Sequence, residues 1–207
     1  MSDSEQRHES AKNKNAKNDG TLNEGYLEGQ ILIAMPSMSD PRFKKSIILL
    51  CAHGKDGAMG LVLNKNLEMV SFENLLSQLE IPCSSNLPSR NIRFGGPVEA
   101  ERGFVLHSTD MFHETSMLIS DGIALTATLE MLKSMANGEG PQDSFIALGY
   151  AGWGPGQLEQ EIQENGWLVV APDHDLVFGD ILDIKWKAAI NKLGFDPGLL
   201  SSDIGHA

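Results

Sequence analysis

The chain has 207 residues, a formal net charge of −12 and a hydrophobic fraction of 41 %. A folded part of about 180 residues can bury about 70 % of its unfolded surface, so one core suffices. No stretch approaches the ~20 apolar residues that cross a bilayer, and residues 1–20 hold no apolar segment of the secretory kind, which argues against a membrane partner and leads us to expect a cytoplasmic protein.

Residues 1–25 have almost no aliphatic side chains apart from Leu22 and are rich in Asn, Lys, Ser and Glu. Such a segment cannot offset the entropy of ordering, so a disordered tail is expected over 1–25 and a single domain over 26–207. The domain opens with a short apolar strand, Gln30 to Met35, stopped by Pro36. Apolar runs at 47–52 and 58–64, separated by His53-Gly-Lys-Asp-Gly57, predict a hairpin. Ser71 then caps a helix whose Phe72, Leu75, Leu76 and Leu79 share one face, closed by Pro82.

Strands are expected at 91–94 and 103–107, joined through Gly95-Gly-Pro-Val98, and a further hairpin at 117–119 and 123–125. Leu125, Leu129, Leu132 and Ala136 predict a second helix ending at Gly138. A buried strand at 144–148 leads into a loop, Gly149 to Gly156, and then a third helix with Pro155 at its first position, running through Glu164. Strands are expected at 167–171 and 176–178, and a last helix capped by Asp180, with Leu182, Trp186, Ala189, Ile190 and Leu193 on one side and Lys185, Lys187 and Lys192 towards its C-terminus. Hairpins with interspersed helices indicate an α+β class, a mostly antiparallel or mixed sheet with about four helices.

The charge is unevenly placed. The tail is near neutral, and from Glu139 onward three basic residues face eleven acidic ones. Nonspecific nucleic-acid binding needs phosphates neutralised, so this surface is a poor candidate for it. Cys51 and Cys83 stand in unlike contexts and are expected as reduced thiols, Cys51 as a small buried apolar group.

Chemistry is harder to find. The strand, glycine-rich loop and helix around Trp153 could hold an anion at the helix start, but there is no Walker lysine and Glu159, Glu161 and Glu164 follow. A structural tight turn is the first reading of this loop; as a binding site, an uncharged ligand or peptide beside Tyr150 and a partly exposed Trp153 fits better than phosphate. Asp173-His174-Asp175 has the composition of a metal tripod, yet neighbours in an extended segment point to opposite faces, so a solvated turn is expected. His53 could share a strand face with Cys51, but no orienting carboxylate or oxyanion device can be assigned to them, and GxSxG is absent. No catalytic residue, metal or cofactor is expected.

The stretches Ala34-Met-Pro-Ser-Met-Ser-Asp-Pro-Arg-Phe43, Cys51-Ala-His53 with Gly57-Ala-Met-Gly-Leu-Val-Leu-Asn64, Phe94-Gly-Gly-Pro-Val98 with Arg102-Gly-Phe-Val-Leu-His107, and Ala147 to Glu159 resemble the bacterial YqgE/AlgH family, also called UPF0301. The resemblance runs from about Gly29 to Ala207, with Asn66 where that family often has proline. It implies a compact α+β domain with a strongly bent, pseudo-barrel sheet and a family name tied to control of alginate synthesis, but no established activity. The matching positions His53, Asn64, Gly95, Gly96, Pro97, Tyr150, Gly152, Trp153, Gly154 and Glu159 are candidates for a shared ligand- or partner-binding surface. The expected function is a regulatory or binding protein acting through a small-molecule or protein partner and influencing transcription indirectly. An enzyme with its site at the glycine-rich loops and a direct DNA-binding regulator are the alternatives.

Overall fold

The computed structural model describes residues 25–83 and 91–195. The tail assigned to 1–25 therefore lies outside the described residues, apart from Gly25. The elements in chain order are β1 (Ile31–Ala34), β2 (Ile47–Gly54), β3 (Gly57–Val62), β4 (Asn66–Ser71), α1 (Phe72–Gln78), β5 (Asn91–Phe94), β6 (Val98–Ser108), β7 (Met117–Ser120), β8 (Ile123–Thr126), α2 (Leu129–Ala136), β9 (Ser144–Trp153), α3 (Gln157–Gln163), β10 (Trp167–Val170), α4 (His174–Val177) and α5 (Leu182–Lys192). This is an α+β domain.

The strands pair in the order β10-β1-β2-β3-β9-β6-β8-β7, with β5 beside β9 and β4 beside β5. Every pairing is antiparallel except β5 with β9. The sheet does not close into a barrel, because β10 and β7 end its strand order. Instead it branches at β9. One edge of β9 is taken by β6, while the other pairs first with β5 at Ala147 and Leu148 and then with β3 from Ala151 to Trp153.

Glycine makes that branch possible. Gly95 leaves β5 with its N–H donating to the Leu148 carbonyl and its own carbonyl accepting from Val62, so it is wedged between the two strands that share the β9 edge. A Cβ on Gly95 would lie 2.1 Å from the Gly149 oxygen, and one on Gly96 would lie 2.0 Å from the Tyr150 carbonyl carbon. No side chain fits so close to a neighbouring backbone.

Three apolar clusters cover the sheet. Alternation along β1 and β2 sends Ile31, Ile33, Ile47 and Leu49 to one face, where Trp186, Ala189 and Ile190 of α5 and Val177 of α4 pack, and sends Leu32, Ile48 and Leu50 to the other, against Leu158 of α3, Trp153 and Trp167. Phe72 and Leu76 of α1 with Met131 and Met135 of α2 cover Ile92, Val105 and Ile146. Each such aliphatic side chain stabilises the fold by about 1.5–3 kcal/mol on burial.

The hairpin at 47–64, the Ser71 cap, which accepts the Asn74 N–H at 3.2 Å, and the buried Cys51 stand as the sequence indicates. Several local expectations do not. Residues 176–178 are not a strand: Asp173 accepts the Leu176 N–H and starts α4, a single turn that buries Leu176 and Val177, making a fifth helix. The second helix starts at Leu129, since Leu125 belongs to β8 and its spacing mimics a helical face. Gly156, at φ 72°, is the cap of α3, so Pro155 precedes the helix, and α5 is entered through Ile181 without a side-chain cap, so Asp180 caps nothing. The strand β4 is not among the expected elements although Asn66-Leu-Glu-Met69 alternates polar and apolar; it pairs Asn66 with Arg93 and Ser71 with Asn91.

Candidate functional site

The segment read as a loop from Gly149 to Gly156 is mostly strand, since β9 continues to Trp153. Cross-strand pairing with β3 holds it there, and this corrects the exposure expected of Trp153: the indole is 7 % exposed and belongs to the core under α3. Its ring meets Trp167 edge-on at 5.9 Å, and Trp167 meets Phe43 likewise. Both indole N–H groups donate to one carboxylate oxygen, Oε2 of Glu161, at 2.9 and 2.8 Å, while Oε1 accepts from Gln157 at 2.8 Å. Gln157 accepts the Gly154 N–H in turn. Glu161 is thus a strut that sets two tryptophans from a one-turn offset on α3.

Above this floor lies a cleft of about 520 Å³ between the 37–43 segment, Pro97 and Val98, Gly152, and α3 with Trp167. Its charged lining is Asp40, Arg42, Glu161 and Glu164. Arg42 and Asp40 form a two-pronged ion pair, which holds the Asp40 carboxyl below the usual carboxylate range. Beyond Gly152 a second, shallower depression of about 500 Å³ runs over Met59, Val98 and Tyr150 to Asp56. Val98, Gly152 and Trp153 line both, so the two form one groove that crosses β9.

Gly152 is the exposed saddle of that groove, and it differs from Gly95 and Gly96. A Cβ there would meet only the Tyr150 ring at 3.3 Å and Val98 at 3.6 Å, and its backbone requires no left-handed conformation. A side chain at this point asks only that the Tyr150 ring shift by a few tenths of an ångström, and it would stand in the groove.

The other candidates divide. Tyr150 donates its hydroxyl to Glu99, itself bonded to Arg102, and this raises the tyrosine pKa. Asn64 stands at the far end of the β2–β3 hairpin from His53, accepting the Ile47 N–H and donating to the Lys45 carbonyl, so it is not brought to the groove. His53 and Glu159 meet behind it. The Leu27 N–H donates to His53 Nδ1 at 2.9 Å, so that nitrogen is an unprotonated acceptor and the ring proton sits on Nε2, donated to Glu159 Oε1 at 2.8 Å. Glu159 is held below the usual carboxylate range first by its own backbone N–H, against some burial, and then by His53. Tyr26 covers the imidazole edge-on at 5.1 Å. With both nitrogens engaged, His53 pins the start of the domain to α3 and has no free base to offer.

His107 is engaged in the same way. Its Nδ1–H donates to the Ser108 carbonyl, so Nε2 accepts from Thr126, whose oxygen accepts from Ser116. Burial lowers its pKa. Burial also pushes the Cys51 thiol up to about 12, far from a thiolate nucleophile. The Asp173, His174 and Asp175 side chains do not meet at one point: Asp173 caps α4 and binds Lys192 at 2.7 Å, while His174 lies between Asp143 at 3.0 Å and Asp175 at 3.6 Å. Among the described residues no group of three His, Cys, Asp or Glu is arranged to hold a metal. Sequence reasoning missed Glu161, Gln157, Trp167 and the Asp40–Arg42 pair; the i, i+4 spacing of Gln157 and Glu161 was the available signal.

Among the described residues no helix is long and apolar enough to cross a membrane. Residues 31–198 match the family model described as DUF179, AlgH-like. A UPF0301 protein of Bradyrhizobium diazoefficiens is 51 % identical over 191 residues, covering 88 % of this chain and 89 % of its own, and one from Ruegeria pomeroyi is 54 % identical over 183 residues, covering 87 % and 99 %. The solution structure of the AlgH protein from Pseudomonas aeruginosa is 37 % identical, with a TM-score of 0.70 over 88 % of this chain and 97 % of that one. A Corynebacterium diphtheriae protein at 20 % identity and a TM-score of 0.66, over 84 % of this chain and 91 % of its own, shares the fold. The chain belongs to the AlgH-like, UPF0301 family.

Proposed function

We propose that this protein is a regulatory binding protein, and that its partner enters as an extended peptide segment, or an organic molecule of similar length, laid along the groove across β9. The observation that carries this reading is Gly152: an exposed glycine at the last position but one of β9, where a Cβ would meet only the Tyr150 ring and Val98, at the point where two depressions join. Glycine in a strand interior weakens the strand, so keeping one where the backbone does not need it favours close approach of a ligand. The rigid aromatic floor under Glu161 supports the same reading, because a preset surface avoids the entropy of ordering side chains on binding. The engaged state of His53, His107 and Cys51 gives a catalytic reading no comparable support.

The test compares the wild-type chain with Gly152→Val in affinity capture from the lysate of its own organism, with retained proteins and small molecules both identified. The variant is expected to unfold at nearly the wild-type temperature and to lose the species that the wild type retains. Equal retention by a well-folded Gly152→Val would remove the groove from consideration.

A further inference from the structure

The groove has an excess of negative charge. Its lining holds Asp40, Asp56, Glu161 and Glu164 against Arg42 alone, and Arg42 is already paired with Asp40. Among the described residues, Asp56, Glu161 and Glu164 have no cationic partner. A complementary occupant is therefore basic.

The chain carries such a segment itself. From residue 10 to residue 18 there are Lys12, Lys14 and Lys17 and no acidic residue, whereas acids flank the stretch at Glu9 and Asp19. The place where this part of the chain joins the domain is set by the buried pin already described: Leu27 donates to His53, Tyr26 lies on its ring, and His53 holds Glu159 of α3. Glu161 and Glu164, two and five residues further along, line the cleft. At 1.5 Å per residue, Glu159 and Glu164 are about 8 Å apart along the axis. The seven residues between Lys17 and Gly25 can span up to about 25 Å, about three times that offset.

We propose that the Lys12–Lys17 segment of the chain's own N-terminus lies in this groove and competes with an external partner. It rests on the groove reading above for the site, and adds the occupant. Attachment through a short link raises the local concentration to the order of millimolar, which lets three surface lysines hold a site they would not fill as a free peptide. Surface charge pairs are individually weak and screened by salt, so the contact is one that a better-fitting partner, or ionic strength, releases. An external ligand is then selected for a basic, extended stretch that outcompetes the tail.

A nitroxide placed on the full chain at Asn15→Cys, with Cys83→Ser and the buried Cys51 left in place, tests this by nuclear magnetic resonance of the ¹⁵N-labelled protein. Amides of residues 37–43, Gly152 and α3 are expected to lose most of their intensity at about 10 mM salt and to regain it at about 1 M, where the screening length has fallen from about 30 Å to about 3 Å. Lys12→Glu, Lys14→Glu and Lys17→Glu together are expected to restore the intensity at low salt. Broadening confined to residues 25–30, spread evenly over the surface, or unchanged by the three charge reversals would overturn the proposal. So would equal broadening when labelled chains are mixed with spin-labelled ones, since the contact would then join two copies. Failure of the tail with continued loss of partner in Gly152→Val leaves the groove standing; failure of both removes the groove as well.

Discussion

At the scale of single residues, one carboxylate organises the aromatic floor. Glu161 accepts three N–H groups from Trp153, Trp167 and Gln157, so Glu161→Ala leaves two indole donors without their partner. Each buried donor so stranded costs about 1–3 kcal/mol, and Trp153→Ala, a core truncation, costs about 3–5 kcal/mol. Urea denaturation measures both; a loss below about 1 kcal/mol for Trp153→Ala would place the indole outside the core. Lys185 is a second buried polar residue with a measurable signature. It is 2 % exposed, donates to the Val177 carbonyl, and shares that acceptor with Arg93, which stacks on Phe145. Burial first, then the nearby Arg93, pushes its pKa down from 10.5 to about 7, with Asp180, Asp173 and Asp175 opposing. Between those two values the unfolded chain holds a proton that the folded chain has released. Stability contributed by this site therefore rises from about pH 7 to about pH 10.5, and below about pH 7 the cost of the buried charge is complete, each unit of separation being worth about 1.4 kcal/mol. Thermal unfolding across that window should show the slope in the wild type and a flatter profile in Lys185→Met.

At the scale of elements, β9 decides the architecture because its one edge serves two partners. The switch from β5 to β3 occurs around Gly149, at φ 70°, facing Gly95 and Gly96. A Cβ on Gly149 would lie 2.3 Å from the Gly96 oxygen, so Gly149→Ala combines a backbone clash with a disfavoured conformation and should cost several kcal/mol, on the order of 3 or more. Gly152→Ala, three residues on in the same strand, should change stability by no more than about 1 kcal/mol in either direction. Melting temperatures of the two variants check the contrast. If both unfold alike, glycine at 152 serves the fold and the groove argument loses its support. Nothing in the chain distinguishes these two glycines beforehand. Both sit in the run Gly149-Tyr-Ala-Gly-Trp-Gly, and only the backbone of Gly96, Val98 and Ala100 at the entry to β6, distant in sequence, separates a required glycine from an optional one. The same reason hides Glu161, whose partners are set by how α3 lies across β9 and β10.

At the scale of the whole molecule, the net charge of −12 predicts that random duplex DNA binds no tighter than the micromolar end of nonspecific affinity, about 10⁻⁴–10⁻⁶ M, at physiological salt. A fluorescence titration giving nanomolar affinity would point to a basic face hidden in that total. The fold class, the β2–β3 hairpin, the Ser71 cap and the buried Cys51 were legible in the sequence because each depends on neighbours within a few residues: alternation, a turn glycine, a capping hydroxyl. The motifs that carry the family resemblance were legible too. What only the tertiary structure decided was which of those residues share a surface. Asn64 and His53 fall at opposite ends of one hairpin, Trp153 turns inward under α3, and its neighbours Gly152 and Gly154 stay open. Those outcomes depend on the branching of β9 between β3, β5 and β6, pairings across long stretches of chain that local periodicity does not encode.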